Sequence, residues 1–131
     1  MTTGTRNTAV GNGALYTNVT GNYNVAVGNG ALQTYTGDNN TAVGYDSLTN
    51  ASTGENNAAL GFRALQDNTT GERGVAFGAY ALNNNTTGDR NVAFGYNALG
   101  NNTTGNYNLA IGAYALDAQT TASNNTAVGY F

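Results

Sequence analysis

The chain of 131 residues has no cysteine, no proline, no tryptophan and no histidine, and its four cationic side chains are all arginine. Without cysteine there can be no disulfides and no thiolate metal sites. Without cysteine or histidine the common base and nucleophile arrangements are missing, so no catalytic residue, metal ligand or cofactor is expected and the chain does not read as an enzyme. Charged residues make up 8% of the sequence and the net charge is −3, whereas roughly a quarter of an ordinary domain is charged. Nucleic-acid binding needs a basic stripe that displaces counterions, and four scattered arginines do not supply one. No run of 18 apolar residues occurs, so no membrane-inserted helix is expected. Met1-Thr2-Thr3-Gly4 lacks the basic and apolar stretches of a secretion signal. That fits a chain made without one, or a portion of a longer protein.

Asparagine, threonine and glycine fill the space that charge leaves, yet 40% of the residues are hydrophobic and 13 are aromatic. Disordered chains are typically charge-rich and apolar-poor, so this composition points to packing. The packing is periodic. Gly11, Gly28, Gly44, Gly61, Gly78, Gly95, Gly112 and Gly129 sit in one local pattern at spacings of 17, 16, 17, 17, 17, 17 and 17. Seven full units and one partial unit begin at residues 3, 20, 36, 53, 70, 87, 104 and 121 and make a single repeat domain over 3–131. The consensus is T-G-x-x-N-(T/V)-A-(V/F)-G-x-x-A-L-x-x-x-T.

Seventeen residues are too few for a helix-turn-helix repeat, which needs more than about thirty. Glycines at positions 2 and 9 leave no room for a helix within the unit. Positions 5 to 8 alternate, which sends 6 and 8 to one face and 7 to the other. The expected fold is all-β: a parallel β-solenoid, or β-roll, of eight roughly 17-residue coils. Each coil has a short strand, a glycine corner, a second segment around Ala-Leu and an Asn/Thr-rich return. Coils about 4.8 Å apart give a rod on the order of 35–40 Å long. The asparagine at position 5 is expected to form a side-chain ladder between coils.

With large apolar residues at position 8 directed inward, position 7 faces outward. It is alanine in every unit: Ala9, Ala26, Ala42, Ala59, Ala76, Ala93, Ala110 and Ala127. A strictly small outward residue suggests a second close-packed surface, and these alanines are therefore the expected self-association residues; the alternative is that both strand faces lie inside one flattened coil. A thin core points the same way, since small cores commonly recruit oligomerisation. The ends suggest a further contact. The sequence starts at position 16 of a unit and stops at position 11, so Thr2, Tyr130 and Phe131 could meet head to tail in near-continuous register. Such a contact does not close and builds a filament.

The residues Asn7, Ala9, Val10, Gly11 and Ala14, repeated at Asn24–Ala31 and Asn91–Ala98, carry a resemblance to the head repeats of trimeric autotransporter adhesins, the YadA-like family. It covers essentially the whole chain; similar longer units occur in viral tail-fibre sequences. The resemblance implies a left-handed β-roll, three chains side by side, and a place at the cell surface or on a virion. The family's usual unit is a few residues shorter, and the excess here lies in the N-N-T-T return.

The expected function is then a structural subunit of an extracellular or virion fibre whose partner is itself. An adhesin segment binding a host or surface ligand is the alternative, and an ice- or glycan-binding solenoid a smaller one. Asp38, Glu55, Glu72 and Asp89 share position 3 and could stack as a carboxylate pair of glycosidase type, or form a solvated column relieved by Arg73 and Arg90. Tyr45, Phe62, Tyr80, Tyr96, Tyr114 and Tyr130, at positions 10 and 11, could stack on sugars or on one another. Asn50, Asn68, Asn84 and Asn101 head N-x-S/T sequons, which matter only in a secreting host.

Overall fold

Each unit can stay extended only between its residue at position 5 and its glycine at position 9, and the strands fall there. The computed structural model describes residues 3–50 and 53–131. Among these it has β1 (Thr8–Val10), β2 (Val25–Val27), β3 (Thr41–Val43), β4 (Ala58–Leu60), β5 (Val75–Phe77), β6 (Val92–Phe94), β7 (Leu109–Ile111) and β8 (Thr126–Val128). They form one parallel sheet in chain order. The register is like on like: Ala59 pairs with Ala76 and Ala76 with Ala93, while Leu60 pairs with Phe77 and Phe77 with Phe94. The molecule is a β-solenoid.

The second segment of the coil is not a strand. It is a run of overlapping turns. In coil five the amides of Ala81, Asn83 and Asn85 donate to the carbonyls of Gly78, Tyr80 and Leu82 at 3.3, 3.2 and 3.1 Å. Two of these turns have a left-handed third residue, Tyr80 (φ 61°) and Leu82 (φ 51°), which is the sign type II geometry requires. Leucine occupies that place in seven coils, from Leu15 to Leu116, always with φ near +50°. An L-residue there costs roughly 1–2 kcal/mol. Burial of a leucine side chain returns ~1.5–3 kcal/mol, and Leu32, Leu48, Leu65, Leu82 and Leu99 are fully buried. Burial outweighs strain. The turns also pair between coils, with the Leu82 amide donating to the Ala98 carbonyl at 3.0 Å.

The alternation along the strand is as expected, but its facing is the reverse. Ala26, Ala42, Ala76, Ala93 and Ala110 are completely buried and Ala59 nearly so. Val10, Leu60, Phe77, Phe94, Ile111 and Val128 instead leave 40% or more of their surface in solvent. The reason is the width of the bore. Seventeen residues enclose a narrow cross-section already occupied by the leucine, by a second alanine at position 12 (Ala31, Ala64, Ala81 and Ala98) and by two asparagines. Opposite these only a methyl group fits, so the larger side chains turn outward. Alanine is constant at position 7 because it is core.

The asparagines form two ladders. At position 5, Asn91 Nδ2 donates to the Gly105 carbonyl at 2.7 Å and Asn91 Oδ1 accepts the Asn108 amide at 3.0 Å. Each such side chain therefore staples its coil to the next through backbone groups, with amide-to-amide contacts secondary. The other ladder, at position 16, lies within the return. Asn85 Nδ2 donates to Asn68 Oδ1 at 2.8 Å and Asn102 Nδ2 to Asn85 Oδ1 at 2.9 Å. The two ladders converge on the position-2 carbonyl: Gly105 O also accepts Asn102 Nδ2 at 3.1 Å. Buried amides satisfied this way meet the requirement that interior polar groups be paired.

Position 5 is glycine once, at Gly74, and the rung from coil five to coil six is missing there. Gly74 lacks a positive φ, and the nearest atom to an added Cβ is Asn57 Oδ1 at 3.1 Å. Gly74→Asn is expected to restore the rung. Two net hydrogen bonds of about 0.5–1.5 kcal/mol each, with a less flexible unfolded chain, raise the melting temperature by several degrees. An unchanged or lower melting temperature, read by far-UV circular dichroism, refutes that account of the ladder.

Candidate association surface

The outward face of the sheet is built by positions 6 and 8. Position 8 runs Val10, Val27, Val43, Leu60, Phe77, Phe94, Ile111, Val128, one residue per coil and in register. Phe77 and Phe94 stack with centroids 5.0 Å apart and planes 18° apart. Beside them at position 6, Val25, Val75, Val92 and Leu109 are half-buried. The strand face carries no charged side chain at either position over eight coils.

Around the glycine corner lies a second column. Tyr45, Phe62, Tyr80, Tyr96, Tyr114 and Tyr130 make an unbroken line of ring contacts, with centroid distances of 5.3–6.0 Å. The rings come alternately from positions 10 and 11 over much of the line, yet most pairs still meet edge to face. The rings therefore do pack on one another, and the line as a whole is a ridge in solvent. Neighbouring rings desolvate the Tyr114 hydroxyl, and Tyr96 beside it adds to the effect, so its pKa is raised above the ordinary phenol value. Phe131 extends the ridge, stacked on Tyr114 at 5.6 Å and edge-on to Tyr130 at 4.9 Å.

The residues expected for association divide as follows. Ala26 to Ala110 are in the core, Ala127 is half-buried, and Ala9, in the first coil, is exposed. The expectation that the alanine column is an outward interface is corrected accordingly: these methyl groups pack within one chain. Tyr130 and Phe131 are exposed at the last coil, and Thr2 lies outside the described residues. The exposed column at position 8 is a surface that alternation alone does not reveal. Its signal was present in Phe77 and Phe94, two bulky residues in successive units for which so short a coil has no interior room.

Two of the acids at position 3 bond backbone. Asp38 Oδ1 accepts the Asn22 amide at 2.7 Å and Asp89 Oδ1 accepts the Glu72 amide at 2.8 Å. Arg73 pairs with Glu72 at 2.9 Å, and Arg90 lies over the Tyr107 ring at 5.2 Å. Asp38 and Asp89 thus each tie one coil to the coil before it, and Glu72 is spent on Arg73. Among the described residues no cluster of three or more acidic side chains could hold a metal ion, and no helix is long and apolar enough to cross a membrane. The threonines at position 17 spend their hydroxyls on the next coil: Thr69, Thr86 and Thr103 Oγ1 donate to the carbonyls of Thr86, Thr103 and Thr120 at 2.8–3.0 Å. Of the sequon asparagines, Asn50 and Asn101 are exposed, Asn84 is half-buried and Asn68 is a buried rung of the ladder.

Comparison with family models, with curated proteins and with solved structures finds no match for this chain.

Proposed function

We propose that this chain is a rod segment of an extracellular or virion fibre, assembled by packing copies of itself side by side through the outward face of the sheet. The observation that carries the proposal is the position-8 column, apolar in all eight coils and extending the full length of the stack. Soluble monomers rarely leave so continuous an apolar stripe in water, and larger patches mark association sites. Copies arranged in parallel about an axis along the rod would place equal coils at equal heights, so that the Phe77–Phe94 step of one copy meets the same step of the next. Three copies is the number the family resemblance implies. The core thereby grows from a thin bore within one chain to a shared apolar axis, which offsets the small burial available per coil.

Light scattering on the purified chain tests this. A mass of two or more copies that persists on dilution supports it; a monomer mass up to the solubility limit overturns it. A surface-ligand role is the second reading, favoured by the aromatic ridge. Exposed rings in a row suit stacking on a flat ligand such as a glycan, and the ridge could serve that role on the outside of a laterally packed rod.

A further inference from the structure

Along the aromatic ridge, coils five to eight each place one phenol in the line, although its position in the unit changes: Ala79-Tyr80, Tyr96-Asn97, Ala113-Tyr114 and Tyr130. In coils five to seven, where one position supplies the ring, the other is small or polar, so the line stays one ring wide. Tyr96 and Tyr114 are the closest of these phenols, with centroids 5.3 Å apart and planes at 66°. Tyr80 and Tyr130 flank them at 5.9 and 6.0 Å. Edge-to-face contact at this range sets carbons of one ring against the other. The hydroxyls are neighbours as well. After desolvation by the surrounding rings, it is the charge and hydrogen bonding of Tyr96 that raise the Tyr114 pKa. An ortho carbon adjoins the hydroxyl-bearing carbon, so neighbouring hydroxyls bring the ortho edges of the two rings together.

Three other tyrosines are more exposed but isolated. Tyr16, Tyr23 and Tyr107 leave 77%, 51% and 53% of their surface in solvent, against 47% for Tyr96. Among the described residues none of the three meets another ring. The guanidinium groups of Arg6 and Arg90 lie over Tyr23 and Tyr107 at 5.1 and 5.2 Å, and a cation on the ring face opposes removal of an electron from it. Tyr35 is fully buried with its hydroxyl bonded to Asn57.

We propose that Tyr96 and Tyr114 are an oxidative cross-linking site, joined ring to ring by a one-electron oxidant that draws on hydrogen peroxide, such as a haem peroxidase. Each phenol gives one electron to the oxidant and its hydroxyl proton to water. The two phenoxyl radicals couple through one ortho carbon each, forming a carbon–carbon bond. The hydrogens on those carbons then move through water to the oxygens, which restores both aromatic rings and both hydroxyls. One hydrogen peroxide is reduced to two waters, and the chain loses two hydrogen atoms overall. Rings held in contact need no encounter between radicals, so proximity and not exposure selects the pair. The product is a covalent tie between coils six and seven in a chain whose lack of cysteine rules out a disulfide, and it restricts the unfolded chain in the same way.

The test treats the whole chain, dilute, with a haem peroxidase and hydrogen peroxide, and follows dityrosine fluorescence, intact mass and the linked peptides. The expected product keeps the mass of a single chain less two hydrogens, and its linked peptides carry Tyr96 and Tyr114. The double variant Tyr96→Phe with Tyr114→Phe separates Tyr80 from Tyr130; Phe62 shows that the line accepts phenylalanine, and circular dichroism verifies the fold. Its fluorescence yield should fall about ten-fold or more, while Tyr16→Phe leaves the yield unchanged. The linked parent chain should melt several degrees above the untreated one. Linkage through Tyr16, Tyr23 or Tyr107, products that are chiefly joined chains, an undiminished yield in the double variant, or a linked chain that melts no higher overturns the proposal. Lateral association is read from the mass in solution before oxidation, so either proposal can fail alone.

Discussion

Gly95→Ala is expected to cost ~3–5 kcal/mol and to split the rod between coils six and seven, although it adds a single methyl group. Two penalties combine. The glycine has φ +137°, a region where an L-residue costs about 1–3 kcal/mol. Its Cβ would also lie 2.5 Å from the Gly112 carbonyl oxygen and 2.6 Å from the carbonyl carbon. A clash with paired backbone belongs to the small set of changes that exceed about 4 kcal/mol. Solenoid coils touch only their neighbours, so damage at one interface stays local. Amide exchange should therefore accelerate across coils seven and eight much more than across coils one to four. Gly129 is the internal control. Its φ is +145°, but nothing lies within 4 Å of an added Cβ. Gly129→Ala should show the conformational penalty without the clash, and equal costs for the two variants would refute the contact term.

The second large effect is on assembly. Phe77→Thr combined with Phe94→Thr should dissociate the proposed lateral assembly while leaving each chain folded. Threonine already occupies strand positions in β1, β3 and β8 and is β-branched, so the strands tolerate it. Within one chain the loss is a stacked ring pair, about 0.5–1.5 kcal/mol beyond area burial. At the proposed shared axis each aromatic anchor would contribute on the order of 2 kcal/mol or more, so that losing several rings raises the dissociation constant more than about 1,000-fold. Sedimentation should show monomers at concentrations where the parent chain is assembled, with matching far-UV spectra. An unchanged mass would locate the interface elsewhere and sink the strand-face proposal.

The repeat, the parallel strands and the glycine corners were readable from the columns because each rests on local chemistry repeated eight times. Alternation states that Ala76 and Phe77 oppose one another; it does not state which of them is inside. Deciding by hydrophobicity puts the phenylalanine in, but the answer turns on the cross-section of the bore, which depends on the closed shape of the coil. Left-handed leucines at position 13 carry no sequence signature at all, since leucine is not a residue that favours positive φ. They exist because the site is buried. The second asparagine ladder was legible in principle. Asn18, Asn68, Asn85 and Asn102 form a column inside the segment otherwise read as a polar return, and only their burial separates a rung from a loop residue.

The unit starting at Thr20 is one residue short, and the sheet does not register the loss: Val25, Ala26 and Val27 pair with Thr41, Ala42 and Val43 without a bulge. The shortfall is absorbed in the return, where Tyr35 stands in for the asparagine. It is fully buried, and its hydroxyl accepts Asn57 Nδ2 at 3.2 Å. A phenol long enough to reach the other ladder replaces both an amide and a length of backbone. Spatial period and sequence period are thus separate quantities in this molecule. The strand and corner fix the pitch of the rod, while the return is a compliant strip where a coil can gain or lose residues and still stack in step with its neighbours.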